Sequence, residues 1–360
     1  MIPGMSMPVL NRSDIVVLGG GAVAVLLAGV TRYGSVGAVA PFVTAAAAVA
    51  LLASLVGRSV EQLGDRFGAG ATGVLQSALG NLPELFICFF ALRAGLVPLV
   101  QAAIIGSILA NLLLVLGMAF VVGGIRHGTQ TFSSHRAKTT LNLLLLATAA
   151  LVVPSIAAYA HAPAEKHETA LSVAVSIVLL TVFALSLPAS LRRHPGPDSD
   201  AAHPTDPPRW PVWLAVGLLA VAGVLAGLVS DWFVYALEPA MAAMHISQAF
   251  AGLVVVAIAG NAVENVVGIQ LAARNQADYA LSVIVNSPLQ IALVLAPSLV
   301  LLSFFTATTL TLVFAPMLVV AVVLTVLTVT LIVFDGESNW LEGVTLVALY
   351  SIIAAVFWWG

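Results

Sequence analysis

Apolar residues fall in about eleven long blocks along the chain, at roughly 13–31, 36–56, 71–92, 97–124, 140–160, 169–190, 211–230, 248–272, 279–303, 308–334 and 340–359. A helix needs about 20 such residues to cross a bilayer core. The pattern predicts an all-α polytopic membrane protein with about 11 transmembrane helices. The block from 308 to 334 is long, which predicts a tilt, or a bend at Pro316. One polar interval stands apart: Arg192–Arg209, RRHPGPDSDAAHPTDPPR. Rich in Pro, Asp and His, it reads as a flexible cytoplasmic tether between spans 1–6 and spans 7–11. Its His/Asp mixture fits a solvated tether better than a metal site.

Two polar phrases interrupt the apolar pattern. Gly80-Asn81-Leu82-Pro83-Glu84-Leu85 lies in the third block and Gly260-Asn261-Ala262-Val263-Glu264-Asn265 in the eighth, 180 residues later. A carboxylate at mid-membrane depth costs about 3 kcal/mol or more, so such residues are retained for function. The match continues without a gap: 23 residues beyond each Glu stand Ser107 and Ser287, and 33 beyond stand Gly117 and Pro297. Five spans separate the two phrases, an odd number, so their helices run in opposite directions. That is an inverted repeat, common in secondary transporters. The expected organisation is an extra N-terminal helix (1–35), a first five-helix repeat (36–191), a linker (192–210) and a second five-helix repeat (211–360), all in one membrane domain.

Composition agrees. Hydrophobic residues make up 61% of the chain and charged residues 8%, with a mean hydropathy of +1.08. A lipid bilayer is the expected surrounding. The net charge of -3 gives no basis for a nucleic-acid partner. One cysteine, Cys88, precludes a disulfide framework and reads as a small buried apolar residue. The first block has no convincing cleavage site and reads as a span rather than a signal peptide. Of the 13 Lys and Arg residues, all but Arg32, Arg93 and Lys166 fall on the side that holds the N-terminus and the loops after even-numbered spans. The positive-inside rule places the N-terminus in the cytoplasm and the C-terminus opposite. The expected location is a prokaryotic inner membrane.

The chemistry of the phrases follows from their residue types. Gly80, Pro83 and Gly260 loosen the helix beside each acid and release backbone carbonyls, which a cation and water can satisfy. Asn81 and Asn261 stand one turn before the acids, on the same face. Ser107, Ser287 and Gln290 add neutral oxygens at depth. Asn111, Asn286 and Gln290 read equally as pathway oxygens or as interhelical glue. Gly106 and Gly117 read as sites of close helix packing. His127, His135 and His245 fall at span ends and read as interfacial. The set holds carboxylates and neutral oxygens, with neither thiolate nor imidazole among them. It selects hard cations such as calcium. Two acids buried near each other cannot both stay ionised cheaply once the ion leaves, so protons replace it. One site then serves both ions in turn. An intramembrane enzyme using two acids as a catalytic pair is the rival from another class, but intramembrane aspartyl chemistry uses Asp, and the paired acids here are Glu. A passive channel is a further rival.

At these residues the chain resembles the calcium/proton exchangers, the CAX branch of the calcium/cation antiporter superfamily. That family carries Gly-Asn-x-x-Glu in each repeat. A Gly-Ser-x-x-x-Asn segment follows the first, matched by Gly106, Ser107 and Asn111. A Ser-x-x-Gln segment ending in Pro follows the second, matched by Ser287, Gln290 and Pro297. The resemblance implies an antiporter that expels calcium in exchange for protons. Glu84 and Glu264 would bind metal and protons, and Asn81, Asn261, Ser107, Ser287 and Gln290 would line the pathway. Helices matching spans 3, 4, 8 and 9 would form a rigid core, with those matching spans 2 and 7 sliding across it. The resemblance suggests Glu61 and Glu238 as ion collectors at the approaches. It implies no cofactor beyond the transported calcium and protons, and is compatible with a homo-oligomer. Three features depart from the family: the linker has only Asp198, Asp200 and Asp206 in place of an acidic helix, Asn265 replaces a frequent His, and Pro83-Glu84-Leu85 resembles the sodium/calcium exchangers. Sodium coupling is therefore the alternative within the same superfamily.

Overall fold

The computed structural model describes residues 10–67, 79–191 and 209–359, except for the side chains at 65–67, 135–136, 187–191 and 263–264. Residues 192–208 of the expected tether, the start of the third span, and the side chains of His135 and Glu264 lie outside the described residues.

The described residues are helical almost throughout. The helices are α1 (Arg12–Tyr33), α2 (Val39–Phe67), α3 (Leu82–Arg93), α4 (Val97–His127), α5 (Ser134–Tyr159), α6 (Glu168–Leu191), α7 (Val212–Met244), α8 (Gln248–Gly260), α9 (Ala262–Ala273), α10 (Ala277–Phe305), α11 (Pro316–Ile332) and α12 (Trp340–Trp358). Among the described residues nine of these are long and apolar enough to cross a membrane, and α8 with α9 makes a tenth span, bent by 62°. The protein is an integral membrane protein. α3 has 12 residues, too short to span alone.

Without a hydrophobic drive between helices in lipid, close packing falls to small residues. α4 and α8 touch backbone to backbone. A Cβ on Gly106 would collide with the Leu253 backbone, and one on Gly252 with the Leu99 carbonyl. Farther along α4, a Cβ on Gly117 would lie 2.8 Å from the Gly343 carbonyl, and one on Gly124 would lie 2.6 Å from the Trp340 nitrogen, so α12 packs closely on α4. The expectation that Gly106 and Gly117 serve packing matches this geometry. At one face of the bundle, β1 (Gln130–Thr131) pairs antiparallel with β2 (Glu337–Ser338). Six spans in the sequence reading lie between these two strands, an even number, which is what two loops on the same side require.

The helix α2 runs on to Phe67 rather than ending near 56, and two further spans differ from the sequence reading. The block at 308–334 is helical only from Pro316, which sits in the first helical turn, where its missing N–H costs nothing. Residues 306–315 before it are not helical. Leu310, Leu312 and Phe314 are buried at alternate positions. The backbone there finds side-chain partners instead of a helix. Gln101 donates to the carbonyls of Thr311 and Val313, and Ser155 donates to Leu312. The hydroxyls of Ser172 and Ser155 accept from the N–H groups of Leu312 and Phe314. Non-helical backbone is tolerated at such depth when protein satisfies it. The second difference is α7, which continues to Met244 rather than ending near 230. Asp231 and Glu238 face outward, so neither charge stops the helix. It stops at His245, which adopts the left-handed conformation (φ 56°).

The α4–α8 contact yields a direct test. Gly106→Ala should destabilise the protein by about 1–3 kcal/mol, because the clash is with backbone. That outcome opposes the gain of about 1 kcal/mol that Ala brings to a helix interior. Gly19→Ala, at a position with nothing within 4 Å, should not destabilise it. Thermal unfolding of the detergent-solubilised variants checks both.

Candidate functional site

The two polar phrases fold alike. Asn81 stands immediately before α3 at φ -92°, ψ 14°, and Asn261 immediately before α9 at φ -101°, ψ 25°. The N–H of Leu85 donates to the Asn81 carbonyl at 2.9 Å, and the N–H of Asn265 donates to the Asn261 carbonyl at 3.1 Å. Each glutamate thus occupies the third position of its helix. The N-terminal end of a helix carries partial positive charge and unsatisfied N–H groups, which favour a carboxylate there. Pro83 fits the first turn, where no hydrogen bond is lost.

Glu84 is fully buried. The Ser107 hydroxyl donates to its Oε1. Asn261 Nδ2 donates to the same oxygen at 3.4 Å and to the Ala257 carbonyl at 3.0 Å. Ser287 Oγ in turn donates to Asn261 Oδ1 at 3.1 Å. One bonded chain therefore runs from Ser287 on α10 through Asn261 to Glu84 on α3 and Ser107 on α4. Gly260 completes the fit. A Cβ there would lie 3.2, 3.3 and 3.4 Å from Cβ, Cγ and Cδ of Glu84. The glycine of the second phrase leaves the room that the acid of the first phrase fills.

The surrounding backbone is irregular. α4 passes through a π-helical turn at Ala110–Val115, and α10 through one at Ile291–Leu295, each just beyond its serine. A third, Ala251–Val256, precedes the break between α8 and α9. Such turns occur often at functional sites. Asn111 Nδ2 donates to the Ser107 carbonyl at 3.0 Å. Asn111 Oδ1, Asn81 Nδ2 and Asn265 Oδ1 are buried with no hydrogen-bond partner among the described residues.

Not every candidate converges. Glu84, Asn261, Ser107 and Ser287 meet, and Asn111 joins them through Ser107. Asn81 precedes Glu84 at the head of α3, buried. Glu264 holds the matching position on α9; its side chain lies outside the described residues. Gln290 is half-buried where the α-helical part of α10 ends. Asn286 is exposed and bonds Ser282 at 3.4 Å, away from the cluster. Glu61 on α2 and Glu238 on α7 are exposed. Cys88 is buried, as expected. Among the described residues no group of three or more His, Cys, Asp or Glu could hold a metal. Near Glu84 the other donors are neutral oxygens and amides. Sequence reasoning named Gly260 as a helix breaker and missed its role as the wall of the Glu84 pocket. The signal was its place in the second phrase.

The family model described as sodium/calcium exchanger protein matches residues 37–191 and again 214–359, one glutamate phrase in each part. The chain belongs to this family. It is a membrane transporter, not an enzyme. A curated relative in Aphanothece halophytica, the Ca(2+)/H(+) antiporter, is 35% identical over 88% of this chain and 89% of its own. A solved structure, native YfkE, is 34% identical, with a TM-score of 0.80 over 96% of this chain and 98% of that one. The sodium-calcium exchanger NCX_Mj is 20% identical with a TM-score of 0.57 over 93% of this chain and 97% of that one, a likeness of fold.

Ser107 offers a test of the cluster. Ser107→Ala leaves the buried Glu84 carboxylate short of one donor, a loss of about 1–3 kcal/mol for hydrogen bonds to charged groups. If the carboxylate holds the transported cation, calcium affinity at fixed pH should fall about tenfold, since about 1.4 kcal/mol is a factor of ten. The serine pre-orients the acid, and Ser107→Thr should retain most of the affinity. Isothermal titration with calcium checks both variants.

Proposed function

We propose that this transporter moves calcium out of the cytoplasm in exchange for incoming protons, and that Glu84 and Glu264 are the shared site for both ions. One observation carries the reading: a fully buried carboxylate, Glu84, at a helix N-terminus, holds donors from both halves of the chain. The similarity to Ca(2+)/H(+) antiporters at 34–35% identity supports calcium and protons as the ions. The low identity to the sodium-calcium exchanger structure leaves that likeness to the fold.

Calcium, a hard cation, would take the carboxylates of Glu84 and Glu264 together with neutral oxygens from Ser107, Ser287, Asn81, Asn261 and Gln290. Two carboxylates balance one divalent charge. When calcium leaves, the acids remain in an interior that disfavours paired negative charge, and protons neutralise them. The Ser107 hydroxyl and the Asn261 amide hold Glu84 in one orientation through both states. Transport would proceed by alternating access. In this reading α2 and α7, packed on one another with Phe42 stacked against Phe233 at 5.2 Å, slide over a core of α3, α4, α8, α9 and α10. The N-terminus would face the cytoplasm, as the basic residues imply. Asn111, Asn286, Glu61 and Glu238 would belong to the approaches. The two repeats would divide at the linker, with α1 outside both.

Inside-out vesicles test the proposal. A proton gradient alone, without sodium, should drive calcium uptake, and an absolute need for opposing sodium would overturn proton coupling. Glu84→Gln and Glu264→Gln should each abolish uptake while the protein still inserts and folds. Near-normal transport by either variant would remove that residue from the site. Calcium added to the purified protein should release protons, and lower pH should weaken apparent calcium affinity, read by a pH-sensitive dye.

A further inference from the structure

A second buried carboxylate lies outside the glutamate site. Asp14, in the first turn of α1, is 3% exposed. Arg58 Nη1 on α2 lies 2.8 Å from its Oδ1, and Arg209 Nη2, just before α7, lies 3.8 Å from its Oδ2. The same Oδ2 accepts the Asn11 N–H at 3.0 Å and the indole N–H of Trp210 at 3.4 Å. Gln62, one turn beyond Arg58, accepts the backbone N–H groups of Arg209 and Trp210 at 2.8 and 3.0 Å. The Trp210 side chain is buried. One acid thus gathers the start of α1, the end of α2 and the entry to α7. At the opposite end of α1, the Arg32 guanidinium sits 3.5 Å from the centroid of Tyr235 on α7, and Tyr33 packs edge-on against Trp232.

Asp14, Arg209 and Trp210 all fall outside the two segments that match the family, whereas Arg58 and Gln62 fall within the first. The clamp is therefore built by segments beyond the matched repeats, gripping a helix inside one of them. Ion pairs gathered on one buried acid, with its remaining lone pairs satisfied, hold geometry more firmly than an exposed pair does.

We infer that Asp14 is a positioning residue for transport: it joins α1, α2 and the head of α7 into one body, so that α2 and α7 move together. The inference rests on the proposal that these two helices slide over the core. Asp14 touches neither ion. Its charge holds Arg58 and Arg209 in register, and Gln62 holds the backbone that leads into α7. With the clamp released, only side-chain packing couples α2 to α7, and fewer movements carry the site from one side to the other.

The test separates turnover from binding in proteoliposomes loaded for proton-driven calcium uptake. Asp14→Asn should lower turnover about tenfold, equivalent to about 1.4 kcal/mol in barrier, while half-saturating calcium stays within about twofold of the unmodified protein. Gln62→Ala, a milder change, should lower turnover in the same direction and decides the matter should Asp14→Asn fail to fold. Unchanged turnover in a folded Asp14→Asn variant, or in Gln62→Ala where the first does not fold, overturns the inference. So does a loss of calcium affinity that matches the loss of turnover. Absence of proton-driven uptake by the unmodified protein would instead defeat the proposed exchange. Uptake that Glu84→Gln abolishes and Asp14→Asn leaves intact defeats the coupling alone.

Discussion

The cost of keeping the Glu84 carboxylate inside a membrane governs this structure. A helix that ran unbroken through the bilayer would present side chains alone to such a charge, with every backbone N–H already engaged. Here the helix starts beside the acid instead. Its first turn supplies the positive end of the backbone dipole, Ser107 supplies a hydroxyl and Asn261 an amide. The short α3, the bend between α8 and α9 and the π-helical turns all follow from bringing polar groups to one buried point. Regular helices could not deliver them there.

Such an arrangement needs helices held closer than ordinary side chains permit. Gly106 and Gly252 let α4 and α8 meet at the backbone, which sets the distance between the Ser107 donor and the Asn261 donor. Around this tight centre, α1, α2 and α7 form a separate layer, joined by aromatic stacking and by the charges around Asp14. The contrast is physical. Backbone contacts at a glycine have one good separation, whereas side chains packed on side chains can settle at more than one register.

Much of the site was legible because polar residues in apolar blocks are costly enough to be conspicuous. Glu84, Asn261, Ser107 and Ser287 stood out by type and by equal spacing, and the structure brings those four together. Asn286 had the same credentials but lies one position before Ser287. On a helix that turns it about 100° away, and only packing decides which neighbour faces inward. The non-helical stretch at 306–315 was hidden for a different reason. Apolar residues look the same in a buried helix and in buried extended chain, and the groups that satisfy this backbone, Gln101, Ser155 and Ser172, lie more than 130 positions away. The far end of α7 was missed because the apolar block stops at 230, just before Asp231, whereas Asp231 and Glu238 face outward and the helix continues past both. Asp14 gave no sequence sign beyond a capping pattern with Asn11, since its cationic partners come from distant segments.

The seating of Glu84 against bare Gly260 has a consequence for how such a chain can change over generations. The first phrase is a tenant in the second's house: any side chain gained at 260 would crowd the acid at 84 and make it give way, however well it suited its own helix. The halves can drift apart in their outer faces, yet at this seam a mutation in one is answerable to the other. A protein grown by duplication would from that moment have been unable to let its copies age independently.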